Sequence, residues 1–105
     1  TFLYGTGKYV MVGSYGNGHW GKLYGIDVLT YELKDLSEYI SSTPRNCKST
    51  EQYIYVATDE GLVYFDHDLN YKGKLYSGQC VLSRTKLNLY LISGDKVYLI
   101  DDNDN

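Results

Sequence analysis

Proline is nearly absent from this 105-residue chain, Pro44 being its only one, and cysteine occurs just twice, at Cys47 and Cys80. Two cysteines cannot build the multi-bridge framework of small disulfide-held domains, nor do they settle the redox compartment. Basic clusters are missing too: 10 Lys and Arg are scattered against 13 Asp and Glu, for a net charge of −3 and a pI of about 5.2. The electrostatic footprint of a nucleic-acid binder is therefore lacking. Stacked tyrosines are the one route left to such a partner. No apolar run approaches the ~18 residues of a membrane-crossing helix. The chain opens at Thr1, without Met and without a basic-then-apolar signal segment. A processed product, an excerpt and a partial chain all fit that start.

Catalytic and metal signatures are equally sparse. There is no Ser–His–Asp arrangement and no nucleophile elbow. Gly5-Thr6-Gly7-Lys8 shares letters with a phosphate loop, but it reads as a strand-to-strand turn with no helix behind it, and the helix N-terminus is what binds phosphate. His19 and His67 lie 48 residues apart and match no metal spacing. The acidic tail 101–105 lacks the glycine and the late glutamate of an EF-hand, so a frayed, solvated end is expected. No cofactor is expected, and no enzymatic activity.

What the chain does contain is tyrosine, 13 in all, with 11 glycines and 43% hydrophobic residues. That composition fits short strands joined by tight turns, and its length allows one domain. A repeat organises it. Tyr9, Val10 and Val12 fall on Tyr53, Ile54 and Val56 at an offset of 44; Leu23, Tyr24 and Lys34 fall on Val63, Tyr64 and Lys74 at 40. A four-residue insertion thus lies between Ser14 and Leu23. A third copy follows, with Tyr90 on Tyr55, Val97 and Tyr98 on Val63 and Tyr64, and Cys80 on Cys47. In the second copy four strands are expected, at 46–50, 53–58, 62–66 and about 71–76, with a tight turn at Asp59-Glu60-Gly61. The runs YVMV, YIYV and LYLI are apolar on both faces, as a sheet stacked between two others requires. Residues 36–42 read as loop with one possible helical turn.

The segments Leu23-Tyr24-Gly25-Ile26-Asp27 and Leu62-Val63-Tyr64-Phe65-Asp66, each preceded by a strand of the type Tyr9–Ser14 or Tyr53–Thr58, resemble the repeats of quinoprotein-like and YVTN-type β-propellers. The resemblance implies an all-β fold of about three propeller-type blades of four short antiparallel strands. The blades would span roughly 1–40, 41–77 and 78–105, the last lacking its fourth strand. It implies architecture only. The usual Thr-Gly turn is replaced by Thr30-Tyr31, the fourth-strand tryptophan and the WD and Gly-Gly motifs are absent, and no residue carries over a quinone or metal site.

Three blades are too few for a closed propeller of about four to eight. An excerpt of a longer propeller, a ring closed by several copies, and an open β domain packed on other proteins stay open. The best candidate for binding is the inserted loop, with Tyr15, Asn17, His19 and the only Trp, Trp20, among three glycines. Such residues stack on and hydrogen-bond a sugar or a peptide. The long connection 36–45 would flank the same end. Asp66-His67-Asp68 reads as a turn held by its own side chains. Cys47 and Cys80 read as buried free thiols on neighbouring first strands. The function expected is a non-catalytic binding or scaffold module with a protein partner or self-assembly, in an extracellular, cell-surface or virion setting on composition alone. A fragment of a propeller enzyme (a quinoprotein-like dehydrogenase or a glycosidase) and a lectin-like oligomer that binds carbohydrate are the alternatives.

Overall fold

A computed structural model describes residues 1–14 and 21–101. Alternation of side chains, period two along each apolar run, is what turns these segments into strands. The first sheet is β1 (Phe2–Gly5), β2 (Tyr9–Ser14), β3 (Lys22–Asp27) and β4 (Leu33–Asp35). The second is β5 (Pro44–Ser49), β6 (Tyr53–Thr58), β7 (Gly61–Asp66) and β8 (Tyr71–Ser77), and the third is β9 (Val81–Arg84), β10 (Leu89–Ser93) and β11 (Lys96–Ile100). Each sheet is an antiparallel meander in chain order, and none closes on itself. One 3-10 turn, Ser37–Tyr39, interrupts the connection between the first two sheets. The fold is all-β.

Strand pairing puts the copies into exact structural register and corrects the register read from residue identity. Val12 pairs with Leu3 and Tyr24, Val56 with Cys47 and Val63, and Leu91 with Leu82 and Tyr98. Tyr24 is therefore the counterpart of Val63, at an offset of 39 and not 40, and the insertion is five residues long. Tyr98 likewise answers to Val63, and Leu99 to Tyr64. Matching tyrosine to tyrosine had shifted the third strands by one residue, which moves every side chain to the other face of its sheet. The cysteines shift as well. Cys47 corresponds to Leu82, and Cys80 precedes β9 at a position equivalent to Arg45.

The three sheets stack in one repeated orientation. Met11 and Leu23 from the first sheet meet Cys47, Ile54, Val56, Val63 and Phe65 from the second. The other side of the second sheet, Tyr55, Ala57 and Leu62, meets Leu82, Leu89 and Leu91 from the third. So β6 is the strand apolar and covered on both faces, with Ile54 to Thr58 all buried. In β2 and β10 only alternate residues are buried. The sheets approach most closely at their first strands, β1, β5 and β9. Polar side chains stitch them there. The Asn46 amide donates to the Leu82 carbonyl at 2.7 Å and accepts from the Leu82 N–H at 3.0 Å, replacing a strand partner. The Ser49 N–H donates to the Tyr4 hydroxyl at 3.0 Å.

The turns repeat too. Thr6, Thr50 and Thr85 each accept, through the hydroxyl oxygen, the N–H three residues on (Tyr9, Tyr53, Asn88) at 3.1, 3.2 and 3.1 Å. Gly5-Thr6-Gly7-Lys8 accordingly leads from β1 to β2 in a strand-to-strand turn. After β3 and β7, Asp27 and Asp66 accept backbone N–H groups of the following turn. Tyr31 adopts φ 63° and Leu69 φ 66°, a left-handed backbone in which glycine is the easy choice. Leu69 is buried, and a Cβ on Gly25 would come within 2.3 Å of its side chain. Gly25 is what lets the β7–β8 turn reach over the first sheet.

The equivalent valines of the middle and outer sheets give a direct test. Val56→Ala removes apolar carbon from a site covered on both sides, at about 2 kcal/mol from lost burial plus a cavity. Val12→Ala, on a half-exposed outward face, is expected to cost less than half of that by chemical denaturation.

Candidate functional site

The residues singled out for binding, Tyr15, Asn17, His19 and Trp20, lie outside the described residues. What is described is the place from which their loop departs. A Cβ on Gly21 would sit 2.3 Å from Pro44 Cδ and 2.4 Å from the Ser14 carbonyl oxygen, so the loop's base rests against the start of β5. Beside it a shallow depression of ≈ 420 Å³ is lined by Gly21, Lys22, Ser37, Glu38, Ile40 and Ser41. The loop base and the long connection therefore share one end of the stack.

A polar network closes that end. The Arg45 guanidinium donates to both Asp59 carboxylate oxygens, at 2.6 Å (Nε) and 2.7 Å (Nη2). Asp59 also accepts from the Gln79 amide at 3.2 Å, and the Ser93 hydroxyl donates to the Gln79 carbonyl at 2.7 Å. Ser41 hydrogen-bonds Glu60. Connections from all three sheets are tied together through these groups. The hydrogen bond from Arg45 holds the Asp59 carboxyl below its ordinary range. Sequence reading missed Arg45, Asn46 and Asp59, because each gains its role from a partner 14 to 36 residues away.

At the opposite end the His67 ring lies 2.8 Å (Nε2) from the Thr50 carbonyl oxygen, and Asp66 accepts from the Asp68 and Asn70 N–H groups at 2.9 Å. Asp66-His67-Asp68 is held as a turn by side chain and backbone. No group of three or more His, Cys, Asp or Glu side chains converges among the described residues. Cys47 and Cys80 are buried and unbridged, in separate cores, and burial pushes both thiols up.

The tyrosines are mostly packing residues. Tyr55 and Tyr64 stack with centroids 5.8 Å apart, and Tyr53 meets both edge-on. Tyr39 stacks on Tyr71 at 4.5 Å. Between the second and third sheets their packing is incomplete. A groove of ≈ 370 Å³ opens among Tyr55, Leu62, Tyr64, Tyr76, Tyr98 and Ile100. Apolar side chains also face outward at both ends of the stack: Leu3 and Leu33 on the first sheet, Val81, Val97 and Leu99 on the third, all exposed. No protein-family model, curated protein or solved structure matches the chain.

The Arg45–Asp59 pair gives a pH-dependent prediction. Asp59 has a folded pKa below its unfolded value, so its stabilisation is complete above pH ~4 and fades as pH falls through the folded pKa. Asp59→Asn is expected to cost about 1 kcal/mol at pH 7, the scale of a partly exposed pair, and progressively less as the pH is lowered below ~4. Denaturant titrations of both proteins over a series of pH values from 7 downward check it.

Proposed function

We propose that this chain is a set of β-propeller-type blades acting as a non-catalytic binding or scaffold module, completed by another sheet packed on its open faces. One observation carries the reading: the order of faces in the stack. The side of the second sheet that bears Val56 covers the first sheet, and the side of the third that bears Leu91 covers the second. The equivalent side of the first sheet, bearing Val12, Leu3 and Tyr24, points away from the stack. At the far end the third sheet turns outward the face bearing Tyr90, Ile92 and Val97, equivalent to Tyr55, Ala57 and Leu62 of the second.

The two outward faces are thus the unused halves of the interface that occurs twice inside the molecule. They differ from one another, so they join head to tail and not face to like face. Repetition of such a contact gives a ring where the rotation closes. Each large aliphatic side chain covered in this way contributes about 1.5–3 kcal/mol. A patch of several exposed aliphatics is the usual mark of a protein-binding surface. The approach of the sheets at their first strands supports the blade reading, as does the β-meander of each.

Light scattering on the purified chain tests this. A discrete oligomer of the 12.0 kDa unit is expected, and Val12→Lys or Ile92→Lys, each charging one open face, is expected to leave a folded monomer. A wild-type chain that stays monomeric at ~100 μM, well above an ordinary micromolar dissociation constant, would count against the reading.

A further inference from the structure

The connection between the first two sheets is longer than its equivalent between the second and third. Three residues, 78–80, lead from β8 to β9, whereas eight, 36–43, lead from β4 to β5. The added length is laid into the space between the first two sheets. Leu36 is fully buried there, and Tyr39 and Ile40 pack against the core. The Tyr39 ring lies on the Tyr71 ring, with centroids 4.5 Å apart and planes 14° from parallel, and meets Phe65 edge-on at 5.8 Å. Phe65 and Tyr71 meet edge-on in turn, at 5.7 Å. A ring from the connection thus fills a slot whose other walls belong to β7 and β8.

The segment is fastened at its two ends and held loosely between them. At its start the Leu36 N–H donates to the Leu23 carbonyl at 2.8 Å, and the Ser37 hydroxyl accepts from the Leu23 N–H at 3.0 Å. At its end the Asp59 N–H donates to the Thr43 carbonyl at 3.1 Å. Between these anchors the N–H groups of Tyr39 and Ile40 turn back on the segment itself, to the Leu36 and Ser37 carbonyls at 3.1 and 3.3 Å. The Ser42 hydroxyl is buried without a hydrogen-bond partner among the described residues, which disfavours the closed arrangement. Packing against the second sheet is incomplete as well. A cavity of ≈ 130 Å³ is lined by Tyr39, Ile40 and Ser41 of the segment and by Val63, Tyr71 and Lys74 of the sheet. Segments with few backbone bonds to the rest of the fold are the ones that open locally.

We infer that residues 38–42 are a strap that swings out, hinged at Ser37 and Thr43, while the sheets stay folded, and that the slot vacated by Tyr39 takes the aromatic ring of a small molecule. Tyr39 is the pattern for that ligand: a planar ring stacked on Tyr71 and met by the edge of Phe65. Offset-stacked and edge-on contacts are the arrangements that aromatic rings prefer. The closed strap is then a built-in competitor, so strap and ligand exclude each other, and the ligand binds by selecting the open form. The slot lies between two sheets of one chain, whereas the stacking proposed above concerns the outward faces. Either can fail without the other.

The probe is p-cresol, the side chain of tyrosine as a free molecule, added to the full chain and followed by amide hydrogen exchange. A ligand that binds the open strap raises its population. With a dissociation constant of about 1 mM from the open form, about 10 mM p-cresol is expected to quicken exchange at Tyr39 and Ile40 about tenfold. Exchange at Ile54 and Val56 in β6 is expected to stay unchanged. Binding elsewhere on the folded chain would leave the Tyr39 and Ile40 amides as they were, or slow them. Tyr39→Ala removes the competing ring and is expected to bind p-cresol about tenfold more tightly than the unaltered chain, and adding Tyr71→Ala takes that binding away. Unchanged or slowed exchange at Tyr39 and Ile40 with p-cresol present overturns the proposal, as does equal affinity of Tyr39→Ala and the unaltered chain. The exchange comparison uses the unaltered chain, so it decides the matter even if Tyr39→Ala does not fold.

Discussion

Everything in this fold depends on β6 being covered from both sides. Ile54 and Val56 point to one neighbour, Tyr55 and Ala57 to the other, and no charged residue interrupts the strand. A strand of that composition suits a sheet covered on both faces, whereas a one-sided sheet alternates apolar and polar residues. It requires a layer above and a layer below, and the repeat supplies both with variants of its own sequence. Once the layers are fixed, the rest follows. The first strands converge, Asn46 and Tyr4 bridge them, and contact between sheets falls off toward the outer strands. Between the first pair of sheets Leu36, Tyr39 and Ile40 of the connection pack against the core, and between the second pair a groove is left.

Copying one sheet to make its own neighbours has a built-in consequence. A stack of identical orientation always ends in two different uncovered faces, because each internal contact uses one face of each type. Here those faces carry Leu3, Val12 and Tyr24 at one end and Val81, Ile92 and Val97 at the other. The molecule is thus apolar where it ends and polar where its turns lie, at the Arg45–Asp59–Gln79 network and the Thr6, Thr50 and Thr85 turns. That distribution places the sticky surfaces along the stacking direction.

Much of the strand layout was legible in the sequence. The run Tyr53–Thr58, the turn at Asp59-Glu60-Gly61 and the strands flanking them could be placed from apolar runs and glycine alone, and the structure puts strands there. Register was not legible for the third strands. Tyr24 aligned by identity with Tyr64, yet pairing places it with Val63, since tyrosine serves on either face of a buried sheet and so marks neither. The cysteines misled in the same way: Cys47 faces a core from within β5, whereas Cys80 is buried just ahead of β9. The exposed end faces were not legible at all. The loop carrying His19, Trp20 and three glycines stands out in the sequence but lies outside the described residues, while an uncovered face is a property of the assembled sheets. Leu99 or Val12 in isolation reads as one more core residue.

Amide hydrogen exchange as a function of protein concentration tests the central claim most directly. If uncovered end faces drive completion of the stack, β6 is slowest at every concentration, and protection in β2 and β10 rises toward it as concentration increases. Protection that is uniform across the three sheets and independent of concentration would contradict the account.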